Sequence, residues 1–207
     1  GAVYWNGTAW DNSQAPTIPE GTSRGKNSFW RFNWSDLEDN NGAYAFYGSW
    51  PRLDHYVRQA IDRGEMLHFG GVMPICSACG DHVTSTYADG ARMYFPKYIY
   101  DSMQRSSLPA WNTGTGVWMP NWNNTFYLER YEALLKAVAD YFNSGSYVAQ
   151  SGPWAGKRVY YKDLLDAVGI SGYGDFGEWH NWPYDGQIPS NAMATSQSLK
   201  RIIDANR

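Results

Sequence analysis

Glu178 sits in the stretch Ile170-Ser-Gly-Tyr-Gly-Asp-Phe-Gly-Glu-Trp-His-Asn-Trp182, among glycines and aromatic rings. Phe176, Trp179 and Trp182 would lower the dielectric around its carboxyl. Such surroundings disfavour the charged form and lift the pKa toward neutrality, which suits a general acid. His180, two residues on, could hydrogen-bond Glu178 or a substrate hydroxyl. The glycines would let backbone approach a bulky ligand closely. The competing reading is a structural acid satisfied by backbone N–H groups or by an arginine.

Other residues of chemical interest are spread along the chain. The run Phe29-Trp-Arg-Phe-Asn-Trp34 alternates, and Asn33 or Trp34 at its end could reach a cleft. His68 is a cleft candidate with an equal claim to be a core histidine with a satisfied partner. Glu38 fits an arginine partner or a turn cap better than chemistry, and Asp36 reads as a turn-former. Asp81 and His82 could bind substrate or face water. Cys76 and Cys79 form the only Cys-x-x-Cys pair, read as a loop staple or two free thiols rather than a redox or zinc centre. Asn6, Asn33 and Asn123 each begin an Asn-x-Ser/Thr sequon, with Asn33 inside an expected strand.

The elements that must hold these residues follow from periodicity. Residues 29–34 and 66–72 read as strands. Between them Leu53, Tyr56, Val57, Ala60 and Ile61 fall at helical spacing, with Ser49 or Trp50 near the cap, Pro51 in the first turn and Gly64 as the stop. Residues 73–122 form a long irregular segment of the kind that is usually functional. A helix begins near Asn124 or Thr125 and carries an apolar stripe from Phe126 to Phe142. Residues 147–162 read as irregular, 163–170 as a strand that ends in the Glu178 segment, and 190–205 as a last helix. Residues 2–5 are a candidate first strand. Alternating strands and helices imply parallel strands joined by crossover helices, in a barrel or an open sheet.

Composition narrows the function classes. The 207 residues suit one domain, and a net charge of −3 leaves no broad basic face, so no nucleic acid partner is expected. No apolar run approaches the ~20 residues that span a bilayer. Neither a dinucleotide-binding glycine fingerprint nor a phosphate-binding P-loop occurs, and no cofactor or metal is expected. The outlier is aromatic content: 11 Trp, 16 Tyr and 8 Phe, many of them in Gly/Asn/Pro-rich segments. Loop rings of this density offer flat faces to a ligand such as a sugar, or pin the loops down from inside.

Two stretches together resemble (β/α)8-barrel glycoside hydrolases. Arg31-Phe-Asn-Trp-Ser-Asp-Leu-Glu38, Gly42-Ala-Tyr44, Leu53-Asp54, Ala60 and Gly64 resemble the second βα unit of those enzymes. Gly172-Tyr-Gly-Asp-Phe-Gly-Glu-Trp-His180 resembles the end of their fourth strand, where the acid/base glutamate sits. The match covers residues 28–72 and 123–182. It departs from the large clan of retaining barrel enzymes at Gly177, where that clan has Asn before the acid. The resemblance implies an α/β fold of the (β/α)8 TIM-barrel type and a carbohydrate substrate. It also implies Glu178 as general acid/base and Asn33, Trp34, His68, Trp179, His180 and Trp182 as substrate-binding residues. A secreted, periplasmic or cell-surface location goes with that reading. Such a barrel takes ~250 residues, and about four strands are legible here. The chain therefore reads as one domain, the N-terminal half of a barrel. The second carboxylate would lie outside this chain; the remaining strands would be a separate chain or have been cut away, or the half would self-associate. The alternative is a carbohydrate-binding barrel without catalysis.

Overall fold

β1 spans Asn27–Asn33 and alternates as its sequence suggests. Trp30 and Phe32 are buried toward the helices, while Phe29 and Arg31 are only half-buried on the opposite face. The strand runs straight into a one-turn helix, α1, Trp34–Leu37. α2, Leu53–Arg63, buries Leu53, Tyr56, Val57, Ala60 and Ile61. It stops at Gly64, whose φ of 69° is the left-handed conformation that glycine adopts without strain. β2, Met66–Met73, follows at once. The computed structural model describes residues 27–49, 52–75, 85–86, 92–113, 116–174, 177, 179 and 187–207.

Two short antiparallel pairs come next: β3 (Ser85–Thr86) with β4 (Arg92–Met93), and β5 (Trp111–Asn112) with β6 (Trp118–Met119). Helix α3, Lys97–Gln104, lies between them. α4 is the long helix, Thr125–Ser144. Asn124 caps it by accepting from the Tyr127 N–H at 3.1 Å, and ties the cap to Leu108 O at 3.0 Å. The hairpin β7 (Ser146–Val148) and β8 (Arg158–Tyr160) leads to β9, Leu165–Val168, and then to α5, Ser196–Ala205.

β1, β2 and β9 form a parallel sheet in that order. Strand order therefore follows chain order. α2 and α4, from the two successive crossovers, lie on the same face. Trp30 and Phe32 pack on Tyr56 of α2, and Phe69 of β2 packs on Phe142 of α4. Tyr141 of α4 donates to Asp54 of α2 at 3.0 Å, which joins the two helices directly. Among the described residues the sheet is thus wound in one direction, without the reversal of strand order that marks a doubly wound fold.

Several boundaries differ from the sequence reading. α2 begins at Leu53, past the expected cap at Ser49 or Trp50. β9 begins at Leu165, because Tyr161–Leu164 coil into a 3-10 turn that buries Tyr161 and Leu164. α5 begins at Ser196, not 190, because Thr195 Oγ1 accepts from the Ser198 N–H at 3.2 Å and fixes the start there. The segment 73–122 contains a helix, and 147–162 contains a hairpin. The candidate strand at 2–5, Cys76, Cys79, Asp81 and His82 lie outside the described residues.

Candidate functional site

In a parallel sheet the C-terminal strand ends are where side chains from neighbouring strands converge. Here that end is formed by Asn33 of β1, Met73 of β2, which stands opposite it in register, and the segment that follows β9. Asn33 is buried at the junction of β1 and α1. Its side chain and its backbone N–H both bond Asp36, while its own Oδ1 has no hydrogen-bond partner. Burial of Asp36 lifts its pKa to about 7, and the Asn33 bonds and the nearby Arg52 offset that only in part. Asp36 is a buried residue in the first turn of helix α1, with its carboxyl pKa near neutrality.

Trp34 is fully buried. Its ring packs on Tyr127 and Tyr131, with centroids at 5.3 and 5.5 Å, and its indole N–H donates to Glu38 at 2.8 Å. No face of Trp34 is left for a ligand. Glu38 is equally buried and also accepts from Tyr98 and Arg130, so it pairs with an arginine as its sequence context suggests. His68 lies in mid-strand, opposite Ala167, with its ring edge-on to Phe29 at 4.8 Å. It lies five positions before Met73, the last residue of β2, roughly 16 Å at strand rise. The structure does not bring it to Asn33.

The segment after β9 is wound tightly against the end of β2. The Val72 N–H donates to Ser171 Oγ at 2.8 Å, where a regular strand would have supplied a carbonyl. This requires Gly71, whose φ is 100° and where a Cβ would stand 2.0 Å from Ser171 Oγ. Ser171 is in turn gripped by Asn206, at the end of α5. The Asn206 amide accepts from Ser171 N–H at 3.2 Å and donates to Ser171 O at 3.1 Å. A Cβ at Gly172 would lie 2.2 Å from the Tyr131 hydroxyl, and one at Gly177 3.1 Å from Val72 O. The glycines do permit close approach, and the partner is the protein's own β2 and α4.

Trp179 is the one described non-glycine residue with positive φ, at 67°. For a bulky side chain this is a costly conformation that survives only where contacts hold it. Here the Trp179 N–H donates to Tyr173 O at 3.0 Å and its indole N–H to Ile170 O at 2.9 Å. A row of rings leads inward from it. Trp179 packs on Tyr173 at 5.7 Å, Tyr173 on Trp122 at 5.0 Å, and Trp122 on Tyr127 at 5.8 Å, next to Trp34. In this row only Trp179 is partly exposed; the others anchor loops from within. Glu178, His180 and Trp182 lie outside the described residues, as do Phe176 and Asp175. Their described chain neighbours Gly177 and Trp179 are both left-handed and both packed at the strand-end face.

Sequence reasoning passed over Ser171 and Asn206, which carry no local pattern, and read Asp36 as a turn-former, where it is a buried residue of α1. Of the sequons, Asn33 is buried, and Asn123 uses its whole amide on Asn191 O, Met193 O, Thr195 N and Ser198 Oγ. Among the described residues no group of three or more His, Cys, Asp or Glu could hold a metal ion, and no helix is long and apolar enough to cross a membrane. No protein-family model, no curated protein and no solved structure matches the chain.

Proposed function

We propose that the chain is part of a (β/α)8-barrel glycoside hydrolase in which Glu178 is the general acid/base. The observation that carries the reading is the seam after β9: the residues on either side of Glu178 are left-handed, Gly177 lies against Val72 O at the C-terminal end of β2, and Trp179 is bonded to Tyr173 O and Ile170 O of the segment after β9. In a sheet wound in one direction this is the end where catalytic side chains gather. Protonated, Glu178 would give its proton to the leaving glycosidic oxygen; ionised, it would then take one from the attacking water. Trp179, His180, Trp182 and Asn33 are the substrate-binding residues of this reading, and Trp34 and His68 drop out of it on position. The nucleophile or second base is assigned outside the described residues, because the carboxyl of Asp36, at this end, is buried and bonded to the Asn33 side chain and backbone N–H.

That same commitment of Asp36 favours the second reading, a carbohydrate-binding barrel without hydrolysis. One experiment separates the two. Wild type and Glu178→Gln are assayed on a panel of aryl glycosides and polysaccharides, with binding measured in parallel. An acid role predicts a loss of about 10²- to 10⁴-fold in the variant with binding retained. Unchanged hydrolysis by the variant refutes the acid role. Binding by both proteins, with no hydrolysis by either, selects the second reading.

A further inference from the structure

Asn206, just past the end of α5, does for Ser171 what a neighbouring strand would do. Its Oδ1 accepts from the Ser171 N–H at 3.2 Å and its Nδ2 donates to Ser171 O at 3.1 Å. One side-chain amide thus satisfies both backbone groups of one residue, as a directly opposed residue does in an antiparallel ladder. The same Nδ2 donates to Ile202 O at 2.7 Å, which fixes the amide on the last turn of α5. The site needs one acceptor and two donors on a short side chain, and asparagine supplies them.

Ser171 is the floor for the segment that follows. It is buried, and its Oγ accepts from the Val72 N–H at 2.8 Å. Gly177 lies over it: a Cβ there would stand 3.3 Å from Ser171 Cβ, 3.3 Å from Gly172 N and 3.1 Å from Val72 O. The Trp179 N–H donates to Tyr173 O, and its indole N–H to Ile170 O, the carbonyl just before Ser171. Gly177 and Trp179 therefore both rest on residues 170–173. That stretch is tied down at Ser171, to β2 on one side and to α5 on the other. Trp179 also carries a positive φ, which persists only where its surroundings hold it.

We propose that Asn206 is a positioning residue for the strand-end site: acting through Ser171, it fixes the places of Gly177 and Trp179, the chain neighbours of Glu178. That the residues so placed serve glycoside hydrolysis rests on the function proposed above; the clamp itself does not. α5, joined to α4 by the Arg201–Glu132 pair, becomes part of the frame of the site.

The test is hydrogen exchange, read by NMR, on wild type, Asn206→Ala and Asn206→Asp. The reporters are the Gly177 and Trp179 amides and the Trp179 indole N–H, all bonded to groups other than Asn206. Asn206→Ala is expected to speed their exchange roughly tenfold or more, the size of the two bonds to Ser171, while the α2 amides keep wild-type rates. Asn206→Asp gives a signature that loss of packing alone would not. Ionised, its carboxylate faces two carbonyl oxygens and donates to neither; protonated, it donates to one of them. The carbonyls disfavour the charged form, so the proton is held to a higher pH than on an exposed aspartate. Measured against wild type at each pH, exchange in this variant should be fast at about pH 7 and return part of the way by about pH 4.5. The ionisable neighbours, Tyr131 and the pairs Glu132–Arg201 and Asp204–Arg207, are common to both proteins and cancel. The kcat of Asn206→Asp relative to wild type, on any glycoside that wild type cleaves, should rise over the same interval. Exchange decides the clamp whether or not wild type hydrolyses anything, so its failure is distinct from failure of the catalytic reading. Wild-type exchange at the reporters in both variants, acceleration spread equally over α2, acceleration in Asn206→Asp without pH dependence, or unchanged kcat beside accelerated exchange overturns the proposal.

Discussion

Asp36 holds a proton that an unfolded chain would release. Its ordinary pKa of 3.8 is lifted to about 7 by burial at the β1–α1 junction. Between these values the native state binds a proton and the unfolded state does not, so the folded form is favoured at the acid end. The contribution is complete below about pH 4, declines as pH rises, and is gone above about pH 7, with a slope of at most ~1.4 kcal/mol per pH unit. Asp36→Asn keeps the shape and removes the titration. Urea unfolding of both proteins from pH 4.5 to 7.5 should show wild type losing stability relative to the variant as pH rises. A difference between them that is flat across this range would show that Asp36 is ionised in the fold. At this scale part of the site was legible in advance. Glu38 was read as fitting an arginine partner and has one, whereas Trp34, read as a cleft residue, shares the alternation of Trp30 and Phe32 and is buried as they are. The titration of Asp36 was not legible, because it depends on how completely other elements cover the junction.

The seam between β2 and β9 is built from residues that only the folded chain brings together. Ser171 lies 99 residues from Val72, from whose N–H it accepts, and 35 from Asn206, and the hydroxyl, the amide and the missing Cβ of Gly71 fit one another. Gly71→Ala meets two costs at once: a positive φ, and a Cβ placed 2.0 Å from Ser171 Oγ. A loss of roughly 2–4 kcal/mol is expected in chemical denaturation. Ser171→Gly added to that variant removes the collision but not the backbone strain, so it should return part of the loss. Strict additivity of the two changes would mean that the groups do not meet. The periodic elements around the seam were legible: α4 shows its apolar stripe over five turns, and α2 over three. α3 was not, because Ile99 and Met103 are its only buried residues and the helix sits inside a segment dominated by turn formers.

Taken as a whole, the described fold covers one face of its sheet and leaves the other half-open. α2 and α4 bury Trp30, Phe32, Leu67 and Phe69, while Phe29, Arg31 and His68 on the reverse face stay partly accessible. Parallel sheets are normally covered on both faces. Among the described residues β9 also has no neighbour beyond β2, and its outer side is apolar: Val168 is 52% and Ile170 47% exposed. Beside it lies a groove of about 260 Å³ lined by Phe69, Leu135, Val138, Phe142 and Leu165. An unpaired edge next to an apolar groove is a template for a further strand and helix. A sheet wound in one direction has room for them there, as the proposed barrel requires. Where no such strand covers it, the 207-residue chain should pair this edge with another copy of itself. Sedimentation velocity over a range of concentrations is expected to show mass rising with concentration. Val168→Lys with Ile170→Lys, which leaves the buried core untouched, should return the chain to a monomer, since lysines on an edge strand oppose pairing. A wild-type chain that stays monomeric throughout would mean that this edge needs no partner, and the half-barrel reading would lose its physical motive.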